Sequence, residues 1–164
     1  MKHIVTILLL AYSILSYAAP ELPNPKLTPG EAYTIDAKIA CNAHTGNESD
    51  SIRNVSASLK QDIYTEYGLL GNHEGYCNEL LIGCEIDHLI SAKLGGTNTK
   101  KNLWPQSYFG EWGAFKKDAL EKRLIARVCR TSKLHPIKLP LIEAQQAIAK
   151  NWKDAYQKYV VENQ

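Results

Sequence analysis

Apolar and polar positions alternate in a readable way along four stretches of the chain. Val55, Leu59, Ile63 and Tyr67 recur at every fourth residue and stop at Gly68, which predicts a helix over residues 56–67 with Ser56 as its cap. Leu141, Ala144, Ile148, Trp152, Ala155 and Tyr159 form a longer apolar stripe behind Pro140, a residue tolerated in a first helical turn. That stripe is read as core packing with no chemistry of its own. Between the two, residues 84–91 read as a strand, Gly95 and Gly96 with Asn98 mark a turn, and a short second strand is expected around Asn102 to Trp104. Trp112 to Val128 then reads as a helix. "PELPNPKLTPGEA" is a proline-rich lead-in expected to be extended, and "GLLGNHEGYCNE" is a loop. The order predicts one α+β domain without internal repeats.

The N-terminus changes the compartment. Lys2 precedes an apolar stretch from Ile4 to Leu15, and Ser16, Tyr17 and Ala18 follow, the pattern of a secretory signal peptide over residues 1–18. The apolar run is shorter than the roughly 20 residues a membrane-spanning helix needs. The mature chain is therefore expected to be secreted or periplasmic, with no membrane association, and to be a monomer. At about 146 residues it suits one domain with a modest core. Its division is read as an extended lead-in over 19–55 and a main domain over 56–164. Four cysteines in an oxidising compartment predict disulfides. Cys77 and Cys84 would form a local clasp, leaving Cys41 and Cys129 to tie the lead-in to the end of a helix. A four-thiolate zinc site is the weaker alternative, since no C-x-x-C pair exists.

Overall charge is nearly balanced, but its distribution is not. Residues 19–87 carry four basic side chains against eleven acidic ones, and residues 88–133 carry ten basic against three acidic. A basic block of this kind suggests a polyanion, with phosphate contacts from Lys100, Lys101, Lys116 and Lys117 supplying affinity without reading sequence. A solvated helix face is the plainer alternative.

Asp87 and His88 sit side by side within the first predicted strand. A neutral imidazole can take a proton from water near neutral pH, which makes His88 a candidate general base. A carboxylate beside a substrate phosphate suffices for a hard divalent cation that keeps several waters, which makes Asp87 a candidate metal ligand. Adjacent strand residues point to opposite faces, so the pair can cooperate only where the strand ends or bulges.

This strand, glycine turn, strand and helix, with Asp87-His88, Gly95-Gly96 and Asn102-Leu103 in order and fourteen residues from His88 to Asn102, strongly resembles the HNH endonucleases of the ββα-metal class. "NPKLTPG", "RNVSASLK", "NLWPQ", "KDALEKRL" and "EAQQAIAKNW" look like segments of a secreted bacterial subgroup, so the resemblance covers most of residues 24–160. It implies a ββα-metal unit over 84–129 flanked by N- and C-terminal helices and stapled by disulfides. It implies a metal-dependent endonuclease acting on nucleic acid, mainly DNA, with magnesium as the expected ion and manganese or zinc as alternatives. It also gives Asn102 the task of bracing the loop and orienting His88. The chain departs from the family on the closing helix, where a histidine is often found and Phe115 cannot ligate. Asp118 and Glu121 are the preferred oxygen candidates there, ahead of Glu111. A catalytically inactive HNH fold kept for nucleic-acid binding, and an exported structural domain with a merely buried Asp87-His88 pair, are the competing readings.

Overall fold

The computed structural model describes residues 20–42, 54–69, 83–130 and 138–162 of the 164-residue chain. The predicted signal peptide and Cys77 lie outside the described residues. Among them the fold is α+β. Helix α1 spans Ala37–Asn42, α2 spans Ala57–Glu66, strand β1 spans Cys84–His88 and β2 spans Leu103–Ser107. Helix α3 follows over Ala114–Cys129, and α4 over Leu141–Tyr156 runs on into a π-helical turn at Gln157–Val161. No helix among the described residues is long and apolar enough to cross a membrane.

Helix α2 begins where the sequence predicts, with the Ser56 hydroxyl accepting from Leu59 N. The lead-in is not extended throughout. Asp36 accepts from Lys38 N at 2.7 Å and starts α1, which buries Ala40 in the core and delivers Cys41 to Cys129. That disulfide is the predicted long-range pair, closing a separation of 88 residues. Cys84 is disulfide-bonded too, and its predicted pairing with Cys77 lies outside the described residues.

The two strands pair antiparallel, with Asp87 opposite Trp104 and His88 opposite Leu103. Residues directly opposite share a face, so Glu85 and Asp87 lie with Trp104 and Gln106, and Ile86 with Pro105. The first face meets the main core, which joins Trp104 to Leu120, Leu124 and Val128 of α3 and to the α4 stripe. The second carries Ile86 toward Tyr64 of α2. Every residue of the predicted α4 stripe is buried. The helix itself is interrupted at Asn151, whose extended backbone breaks the turn and whose side chain accepts from Lys153 N at 3.0 Å to restart it.

The glycine turn is clamped from the lead-in. Gly30 N donates to Lys101 O, Tyr33 N to Gly95 O and Thr97 N to Glu31 O. Thr28 Oγ1 donates to Leu103 O at 3.0 Å, and Gln145 of α4 donates to Thr34 O and Leu94 O, both at 2.8 Å. The geometric need for glycine is plain at Gly96, where a Cβ would lie 1.7 Å from Ile90 O.

Candidate active site

Strand β1 ends at His88, three residues earlier than the apolar pattern predicts. The cause is local. Asp87 Oδ1 accepts from His88 N at 2.8 Å, and the side chain of Asn102 takes over the backbone that follows. Buried Asn102 accepts from Ile90 N at 2.9 Å and donates to Ile90 O and Thr97 O, both at 3.0 Å. It braces the loop through the backbone, two residues beyond His88. The imidazole meets Asn98, whose Oδ1 lies 2.6 Å from Nε2. An amide oxygen only accepts, so in this contact Nε2 carries a proton and donates.

A cleft of about 290 Å³ lies alongside β1 and is lined by both of its faces, Glu85 and Asp87 from one and Ile86 and His88 from the other. This resolves the opposition of adjacent strand residues, since both sides of the strand reach the same opening. Helix α3 contributes Asp118 and Glu121, α2 contributes Lys60, and Val55, Ser91 and Ala92 complete the wall. Burial, with the nearby charge of Asp87, pushes the Glu85 carboxyl up, and Tyr108 donates to it at 3.2 Å. Glu85 follows from the two-residue period of the strand once Asp87 is chosen, while Lys60 and Asn98 carry no sequence signal beyond charge and turn chemistry.

The predicted phosphate-binding lysines do not share one surface. Lys100 pairs with Glu66 at 2.7 Å and Asp62 at 3.4 Å, and Lys101 lies 3.8 Å from Glu31. The Lys116 ammonium stands 4.4 Å over the Trp112 ring. Lys117 departs furthest from expectation. Its side chain is 0% exposed, with Nζ 2.6 Å from Asp87 Oδ2 and also bonded to Glu121 Oε1 one turn along the helix. It cannot contact a phosphate in solvent. Burial alone would lower its pKa, but the carboxylates of Asp87 and Glu121 outweigh that and hold the ammonium well above its usual range. Glu121 is pushed up by burial against the pull of Lys117. The buried positions Ala114, Lys117, Leu120, Leu124 and Val128 have helical spacing, so the signal for an inward lysine was its place on the apolar stripe.

The remaining helix candidates also separate. Asp118 faces the cleft. Glu111 is exposed and precedes α3, which starts at Ala114, two residues after the predicted Trp112. Phe115 is 76% exposed. Among the described residues no three His, Cys, Asp or Glu side chains converge closely enough to hold a metal ion by themselves. Comparison with family models, with curated proteins and with solved structures returns no match.

Proposed function

We propose that this chain is an exported metal-dependent endonuclease of the HNH type, hydrolysing phosphodiester bonds of nucleic acid, mainly DNA, with little sequence preference. The observation that carries the reading is the convergence on one cleft of His88, Asp87 and further carboxylates from a facing helix, beside a hairpin braced by a buried asparagine. Strand, turn, strand and helix follow in the order of a ββα-metal unit.

The electrostatics argue for a cation. Glu85, Asp87, Asp118 and Glu121 line the cleft, with Lys60 as the one basic side chain among its described lining residues. A phosphodiester entering that cleft alone meets repulsion, and a divalent ion reverses it. The donor set fits a hard ion that retains several waters, held by Asp87 with Asp118 on the helix side. Glu121 fits less well, because it is bonded to Lys117 and less exposed than Asp87. Magnesium or manganese bound there would polarise the phosphate and stabilise the departing oxygen.

The chain's own residues do the rest. His88 takes the proton from the attacking water, its ring positioned by the contact of Nε2 with Asn98. Asp87 is held by hydrogen bonds at both oxygens, from His88 N and from Lys117. Asn102 keeps the loop that carries these groups closed. The test is plasmid digestion with magnesium and with EDTA, on the wild type and on His88→Ala. Metal-dependent cleavage lost in a folded His88→Ala protein is expected. Salt-sensitive DNA binding with no cleavage at any metal concentration would replace this reading with a binding module.

A further inference from the structure

We propose that Lys117 is the positioning residue of this cleft: its ammonium fills the space between the strand carboxylate of Asp87 and the helix carboxylate of Glu121, and so confines a divalent cation to the cleft side of Asp87. The inference rests on the metal-dependent reading above and specifies how the metal side of it is built.

Two carboxylates from different elements, aimed at one point from opposite sides, are what an oxygen-liganded cation site requires. Here a cation supplied by the chain already stands at that point, 2.6 Å from Asp87 Oδ2 and bonded to Glu121 Oε1. It is fully buried, whereas Asp87 keeps 21% and Glu121 16% of their side-chain surface. The ammonium is a compact point charge with three donors, and it repels a second cation from the helix side. Asp87 is gripped at its other oxygen by His88 N, 2.8 Å from Oδ1. Its carboxylate plane is therefore fixed relative to the base, and each oxygen keeps a lone pair beyond these hydrogen bonds, on a residue that lines the cleft. One positive charge between two negative ones leaves the group attractive to a divalent ion from that side alone. The arrangement replaces a second carboxylate ligand with a rigid support, and it gives the site an open coordination shell for water and phosphate.

The assignment predicts opposite behaviour for two substitutions. Lys117→Met removes the resident cation and leaves Asp87 and Glu121 facing each other, so Mn²⁺ should enter between them. Its Mn²⁺ affinity, read by calorimetry or electron paramagnetic resonance, should tighten about tenfold or more because two facing carboxylates replace one. Its melting temperature should fall in EDTA and recover with Mn²⁺ by a larger step than the wild type shows. Glu121→Gln still accepts from Lys117 but removes one negative charge near the ion, so its Mn²⁺ affinity should fall far less than that of Asp87→Asn, since Glu121 is not a ligand while the lysine is present. A Lys117→Met protein with wild-type affinity and no extra metal-dependent rise in melting temperature overturns the proposal. So does a loss of affinity in Glu121→Gln as large as that in Asp87→Asn, the behaviour of a direct ligand, and that comparison decides the matter if Lys117→Met does not fold. Wild-type protein that binds Mn²⁺ but cleaves no DNA would remove the nuclease reading and leave these comparisons intact.

Discussion

Asn102 offers the sharpest test of how the hairpin holds the site. Its side chain is 0% exposed, and all three of its hydrogen bonds go to backbone: from Ile90 N at 2.9 Å, and to Ile90 O and Thr97 O at 3.0 Å each. Asn102→Ala leaves one buried N–H and two carbonyls without these partners, at roughly 1–3 kcal/mol for each group that stays unsatisfied. Partial relaxation of the loop and water entry at Thr97 bring the expected loss to about 3–5 kcal/mol. For a domain of this size that lowers the melting temperature by ~10–15 °C. Asn102→Asp has the same shape and keeps the acceptor for Ile90 N, yet it turns an oxygen toward the two carbonyls. It should cost at least as much as alanine. Urea unfolding of the three proteins measures the difference directly. A loss below about 1 kcal/mol for Asn102→Ala would refute the reasoning, because a buried residue making three such bonds cannot be neutral if the loop depends on it. Assayed well below both melting temperatures, Asn102→Ala should also cleave DNA more slowly, since the loop it closes begins directly after His88.

Replacing His88 by alanine should leave the melting curve nearly unchanged while lowering cleavage by roughly 10² to 10⁴, and a folded variant with normal turnover would reject His88 as the base. Removing the Cys41–Cys129 bridge with a double alanine substitution should cost ~4–5 kcal/mol on the chain-entropy account of its 88-residue separation, measurable by denaturant unfolding without reductant. In a His88→Ala background, neutralising Lys101 or Lys116 should flatten the salt dependence of DNA affinity by about one unit for each phosphate no longer neutralised, and an unchanged slope assigns them to solvent. Hydrogen bonds from Thr99 and Thr97 hold the Glu31 carboxyl below its usual range. Its contribution is therefore present above the unfolded carboxylate pKa and lost as pH falls through the folded one. Melting temperatures of Glu31→Gln and wild type should converge as the solution is acidified, and a constant gap would contradict that linkage.

Much of the frame is written in periodicity. The α4 stripe, the Ser56 cap and the Cys41–Cys129 pair follow from spacing and residue type, because burial and capping act locally and repeat. The strand end at His88 does not follow, since Leu89 and Ile90 continue the apolar run past it, and the side chain of Asn102, fourteen positions beyond His88, takes up the backbone at Ile90. The short helix over Ala37–Asn42 is hidden by a proline-rich neighbourhood, although Asp36 already carries the cap. At the site, Asp87, His88 and Asp118 are legible as chemistry and reach one cleft. Lys117 escapes a reading by charge, because its neighbours Lys116 and Lys122 are basic and the block looks like one surface. Charge composition carries no direction, whereas the helical period does, and by that period Lys117 points inward.

The Cys41–Cys129 bridge closes the chain into a covalent ring, and Asp87, His88, Asn102, Lys117, Asp118 and Glu121 all belong to the segment it encloses. A protease that severs one peptide bond anywhere between those cysteines opens the ring into a linear molecule without separating its parts. The cut ends remain joined through the bridge, and the hairpin, its brace and α3 are still carried on one molecule. Helix α4 lies outside the ring, and among its described contacts it is held to the lead-in by Gln145 on Thr34 O and Trp152 on Glu21 O. A single cut beyond Cys129 therefore leaves α4 held by packing and hydrogen bonds alone, whereas one inside the ring leaves every part covalently joined. That asymmetry places the tolerance to a single cut where the cleft is.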